Sequence, residues 1–249
     1  MIDKREFIVP DYILDLLLKD KTTGKNIMWG TDQYGYAPDT NMTVEQVSEN
    51  VILPRVFKSL EEQKSRTDDK AEVFTPLEII KRMNDSVEED FNGNDMDYIS
   101  RKVLEITCGE APYLVSRYDV STGDVISFDR REGILDRKMR MVNKMGKERW
   151  FVHMLSALES VYGYEWQGDS LLLARINIFK DINDWYEELF EKEMGDENVI
   201  VAHHIISNVI QMDGLTMMVP YTDIPARVMD WENDKIVRFD DKTDESPLF

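Results

Sequence analysis

Lys102–Tyr113, read KVLEITCGEAPY, constrains the fold of this chain more than any other stretch. A short apolar run, Val103–Ile106, carries one acid, Glu105, near its end. It then breaks into Thr107-Cys108-Gly109, with the small Ala111 two residues on. A buried parallel strand that delivers the chain to a tight glycine turn under a nucleotide-like ligand has this pattern. The glycine lets the backbone approach the ligand.

Two later segments have the same form. Tyr162–Trp166 reads as a short strand carrying Glu165, and a helix over Ser170–Phe179 follows at once. Asn208–Met212 runs into Asp213-Gly214-Leu215. In doubly wound sheets the ligand lies outside the carboxyl ends of the strands. An acid on the second strand can accept hydrogen bonds from ribose hydroxyls, and a third acid can hold a base amino group. The residues therefore predict a nucleoside-type ligand in an α/β sheet, with an insert at about 114–160 lengthening the first crossover.

The remaining elements follow from periodicity and caps. Ile13, Leu16 and Leu17 predict a helix over 9–20. Residues 21–42 are turn-rich and carry Trp29, Tyr34 and Tyr36, either a base-stacking surface or a clamp of the loop onto the core. Thr43 and Gln46 have capping-box spacing, so a short helix begins there. The chain is extended before Pro54, and 58–69 is a charged helix or loop. Pro76 suits a helix first turn and Thr75 its cap, with Ile79, Ile80 and Met83 as the apolar face. Residues 88–97 are expected as an exposed turn, and 121–130 as a hairpin or loop. Helices are expected over 133–144 and 149–161, and another through Trp185, Tyr186 and Phe190, ended by Gly195. Val199–Ser207 fits strand or helix. Arg227–Asp230 and Lys235–Phe239 predict a hairpin. The expected division is a helical and loop extension over 1–70, an α/β domain over 71–240 and a disordered tail over 241–249.

Charge limits the partners. The 249 residues carry a formal net charge of −19. A protein that holds DNA alone normally presents a basic stripe, because phosphate neutralisation supplies most of the affinity. DNA contact is therefore expected only through a partner or a local basic patch: Lys58, Lys64, Arg66 and Lys70, or the run from Arg130 to Lys147. No apolar run reaches the roughly 20 residues that span a bilayer, so no membrane is expected, and the N-terminus does not read as a signal peptide. A single cysteine, Cys108, excludes an internal disulfide framework and fits a reducing, cytoplasmic compartment. The adjacent His203 and His204 lack metal-ligand spacing, so no metal site is expected.

These motifs together resemble the amino-methyltransferases of bacterial restriction–modification systems that methylate adenine N6, in particular the stand-alone proteins of the "restriction endonuclease subunit M" type. In that class Phe-Thr-Pro lies before the first strand and packs against S-adenosylmethionine (AdoMet); here it is Phe74-Thr75-Pro76. The first-strand motif, Asp-Pro-Ala-Cys-Gly-Ser-Gly, is matched by Glu105-Ile106-Thr107-Cys108-Gly109-Glu110-Ala111. By the resemblance Glu165 binds the ribose and Asp213 faces the adenine. The resemblance covers about 70–215 and implies a partial Rossmann-like AdoMet-dependent methyltransferase fold with AdoMet as cofactor. Phe74, Thr75, Pro76, Glu105, Thr107, Cys108, Gly109, Ala111, Glu165 and Asp213 are the cofactor-binding residues it implies.

The sequence also departs from the class. Its catalytic Asn/Asp-Pro-Pro-Tyr/Phe is absent, and the nearest string, Met218-Val219-Pro220-Tyr221, lacks the side-chain acceptor that a flipped base requires. Residues 216–249 are too few for the further crossovers of a complete sheet, each roughly 30 residues. Glu110 is expected near the methionine carboxylate of the cofactor, and Pro112 removes a backbone donor. The expectation is a methyltransferase-like protein or subunit that needs a methyltransferase or nuclease partner. The alternative is an inactive acidic interaction protein, a regulator or a phage- or mobile-element-encoded inhibitor of a nucleic-acid enzyme, built on the same scaffold.

Overall fold

The computed structural model describes residues 1–64, 75–89 and 91–240. Phe74 of the expected cofactor segment, the end of the charged stretch 58–69, and the tail 241–249 lie outside the described residues.

Three short strands, β1 (Val103–Glu105), β2 (Val161–Glu165) and β3 (Val209–Gln211), form a parallel sheet in the order β1-β2-β3. Val103 pairs with Val161, and Gly163 with Val209. Two further strands, β4 (Arg227–Asp230) and β5 (Lys235–Arg238), make the antiparallel hairpin expected at the C-terminal end. The chain is thus mixed α/β.

The sheet has two unlike faces. Val103, Val161 and Val209 point into the main core, and Leu104, Tyr162, Tyr164 and Ile210 point the other way. This alternation follows from the two-residue period of a strand. Strands added in one direction bring their crossovers to one face. The helices of both crossovers pack there: α5 (Ile134–Lys144), α6 (Trp150–Glu159), α7 (Gly168–Phe190) and α8 (Glu197–Asn208). The hairpin covers the second face with Ala226, Val228 and the adjoining Phe239.

The N-terminal segment joins the same core. Ile13, Leu14, Leu17 and Leu18 of α1 (Asp11–Leu18) are buried with α7 and α8. Arg175 of α7 is fully buried and donates to the carbonyls of Leu17, Lys19 and Val209, so one guanidinium ties α1 and β3 to α7. Met28–Gly30 presses onto the start of α7. A Cβ on Gly168 would lie 1.9 Å from the Met28 oxygen, so only glycine fits there. Gln211 clamps Met28 from β3, accepting from its N–H at 2.7 Å and donating to its carbonyl at 2.8 Å. Trp29 is fully buried and stacks on Tyr36 at 5.0 Å, which makes these aromatics a core clamp. Thr43 and Gln46 form the expected capping box at α2 (Val44–Glu49).

Several local expectations change. Residues 88–97 do not remain a turn throughout, because Asn94 and Asp97 build a second capping box and α4 (Asp95–Ser100) buries Tyr98 and Ile99. Helix α3 (Leu77–Glu88) has Pro76 at its N-cap, one position earlier than expected. Of its expected apolar face only Ile80 is buried, while Ile79 and Met83 stay about half exposed. The two helices expected after β2 are one helix of 23 residues. Val199–Ser207 is helical despite its β-branched residues, because Val201, Ala202, Ile205 and Ile206 all bury one side against the core.

Beneath α7 lies a charged cluster. Arg131 donates to Asp181 at 2.7 Å and to Asp184 at 2.9 Å, and Arg117 shares Asp184 at 2.8 Å. Asp136, at the start of α5, accepts from the Ser116 N–H, the Ser116 hydroxyl and the Gly133 N–H. Asp181 is wholly buried and faces Asp136. Burial, then the neighbouring carboxylate, raise its pKa well above the usual carboxylate range.

Candidate functional site

All three parallel strands end at one edge of the sheet, so the turns after Glu105, Glu165 and Gln211 gather there. The first turn is held in a left-handed backbone: Thr107, Gly109 and Ala111 have φ of 48°, 53° and 61°. Gly109 suits this conformation without strain, whereas Thr107 and Ala111 do not. The Ala111 N–H reaches the Cys108 carbonyl at 2.6 Å, and the Cys108 N–H reaches the Tyr164 carbonyl at 2.8 Å. A Cβ on Gly109 would meet nothing within 4 Å, so the turn faces open space.

Glu105 does not face that space. It is buried, and its carboxylate accepts from the Tyr113 and Leu114 N–H groups, both at 3.2 Å. Burial pushes its pKa up to about 8 against these two donors. Cys108 is also buried, and loss of water raises its thiol pKa well above the usual value. Gly163 makes room for it, since a Cβ there would sit 3.2 Å from the sulfur. Glu105 and Cys108 thus build the turn from inside.

Glu110 differs from expectation. Its side chain turns inward, accepting from the Arg55 N–H at 2.8 Å and from the Tyr118 hydroxyl at 2.5 Å. Its own carbonyl accepts from Asn177 of α7 at 2.9 Å. Glu110 therefore anchors the segment after the turn, and its carboxylate is directed away from the edge by those donors.

Glu165, at the end of β2, is half-buried and joins two turns. Its carboxylate accepts from the Gly109 N–H and the Gln167 N–H, both at 3.0 Å. Asp213 follows β3 and organises its own loop, accepting from the Leu215 N–H and the Thr216 hydroxyl, both at 2.8 Å. Between these second and third turns is a cavity of about 290 Å³ lined in part by Trp166, Asp213, Pro220 and Tyr221. The ring centroids of Trp166 and Tyr221 are 5.3 Å apart at 70°. This pair was not foreseen from the sequence; the only signal was that Pro220-Tyr221 follows the third acid closely. Thr75, just before α3, accepts from the Tyr113 hydroxyl at 3.3 Å, and Pro76 beside it is exposed.

The expected basic run from Arg130 to Lys147 is partly consumed within the fold. Arg137 pairs with Asp85, Glu88 and Glu132, and Arg131 with Asp181 and Asp184. Lys138 is buried, and its ammonium donates to the Arg101 carbonyl and the Ser160 hydroxyl. Lys58, from the other basic segment, pairs with buried Asp169 at 3.3 Å. Among the described residues no group of three or more histidine, cysteine and acidic side chains could hold a metal. No described helix is long and apolar enough to cross a membrane. Comparison with protein-family models, with curated proteins and with solved structures finds no match.

Proposed function

We propose that the carboxyl edge of the sheet binds a nucleoside cofactor of the AdoMet type, and that the chain is a methyltransferase-like protein or subunit of a restriction–modification system. The observation that carries this reading is the bond between Glu165 and the Gly109 N–H. It places a half-buried carboxylate beside a left-handed glycine turn that opens to solvent. A ribose diol donating to Glu165 would lie over that turn. The inward rotation of Glu110 favours the same reading, since it takes a negative charge away from where the methionine carboxylate would sit. The chain lacks the class's catalytic tetrapeptide, so a partner supplies the base pocket and the DNA contacts. Calorimetric titration with AdoMet and S-adenosylhomocysteine tests the reading. Micromolar binding that is lost in Glu165→Ala is expected, and no heat at millimolar ligand would sink it.

A second reading, an acidic protein that occupies a basic partner, is favoured by a different observation. An open cleft of about 970 Å³ is bordered by Asp3, Glu6, Asp184, Glu187, Glu188 and Glu191, against Arg117 and Arg131, which pair with Glu6 and Asp184. Under this reading, capture of a nucleic-acid enzyme by the full chain weakens when Glu187, Glu188 and Glu191 become glutamine together. Undiminished capture by that variant rejects it.

A further inference from the structure

The cavity between the second and third turns has its own chemistry. At about 290 Å³ it lies at the low end of small-ligand pockets, which run roughly 300–1,000 Å³. Trp166 and Tyr221 meet edge to face and form an aromatic corner. Tyr221 is held there by a left-handed backbone, with φ of 60°, an unfavourable conformation for a bulky residue. Asp213 and Asp223 add two carboxylates to the lining, and among the described residues no lysine or arginine lines it. Asp213 is fixed by its bonds to the Leu215 N–H and the Thr216 hydroxyl. Asp223 is exposed and has no ion-pair partner among the described residues.

Each feature selects against other ligand classes. Two carboxylates repel an anion. A neutral apolar ligand gains nothing from them. Aromatic faces attract cations through their quadrupole, more strongly when the cation is desolvated. They offer few hydrogen bonds, so they suit a cation whose nitrogen is alkylated and sheds water easily. The whole-chain charge of −19 raises the local concentration of such a ligand. We infer that this cavity is a binding site for a small alkylated ammonium ion, with Trp166 and Tyr221 as the cation-facing wall and Asp213 and Asp223 as its counter-charges. The site does not depend on a nucleoside binding over Gly109.

Choline and its uncharged isostere 3,3-dimethylbutan-1-ol separate the possibilities. The full chain, labelled with nitrogen-15, is titrated with each while the Trp166 indole N–H resonance, assigned by Trp166→Phe, is followed. Choline is expected to shift it saturably in the millimolar range or below. The alcohol should bind at least about tenfold more weakly, and Tyr221→Ala should weaken choline by about the same factor, in line with the loss of one desolvated cation–aromatic contact. Asp223→Asn should weaken choline about two- to threefold, with a smaller dependence on salt. Equal binding of the alcohol would leave only an apolar pocket. A non-saturating shift that persists in Tyr221→Ala would leave only general attraction to an acidic surface. Either result overturns the inference. Choline and AdoMet are titrated separately into the wild-type full chain, so failure of the nucleoside reading is scored separately.

Discussion

Glu105, Glu110 and Glu165 at the carboxyl edge of the sheet accept from backbone N–H groups and from the Tyr118 hydroxyl, whereas Asp181 and Asp184 beneath α7 accept from Arg131 and Arg117. The same residue class thus performs two tasks. Under the helix the acids neutralise buried guanidinium groups, and the result is an internal ion network. At the edge Glu105, Glu110 and Glu165 fix the backbone of turns by accepting from N–H groups. A region of the second kind shapes the turns that border the candidate site. A region of the first kind is spent on holding the fold together.

The largest test of this contrast is Arg131→Met. It removes the Arg131 donors to Asp181 and Asp184, leaving buried acceptors short of partners, and should destabilise the chain by about 2–4 kcal/mol, read by urea denaturation. Glu165→Ala, whose carboxylate is only half-buried, should lower stability by about 1–2 kcal/mol. Equal losses would erase the distinction between network and turn.

A pH series sharpens it further. Glu105 has a folded pKa of about 8, above its unfolded value, because burial disfavours its charge. The folded state therefore keeps a proton that the unfolded state has already released. Its contribution to stability is complete below the unfolded pKa, near 4.3, and is lost as pH rises towards 8. Glu105→Gln should remove this slope, up to about 1.4 kcal/mol per pH unit, when wild type and variant are compared between pH 5 and 8. Parallel stability curves would mean that Glu105 is already ionised at pH 5 and that its two backbone donors outweigh burial.

Much of the local structure could be read from residues alone. The run Val103–Glu105 before Gly109, the strand ending in Glu165, the Thr43–Gln46 capping box and the C-terminal hairpin all have short-range causes. Alternation and caps act within a few residues, so they leave a signature in sequence. The capping box at Asn94 has the same kind of cause, but a polar run hid it.

The sequence by itself determined which segments form the parallel strands, which acids stand at or just after their ends and how negative the chain is. Only the tertiary structure decided that Val199–Ser207 is a helix, because burial of one side against the core overrides a weak β preference. Only it turned Glu110 inward, brought the Gly109 N–H to Glu165, and set Trp166 against Tyr221 beside Asp213. Each of these joins residues distant in the chain, and such contacts are chosen by how the layers pack, a quantity no local window of sequence contains.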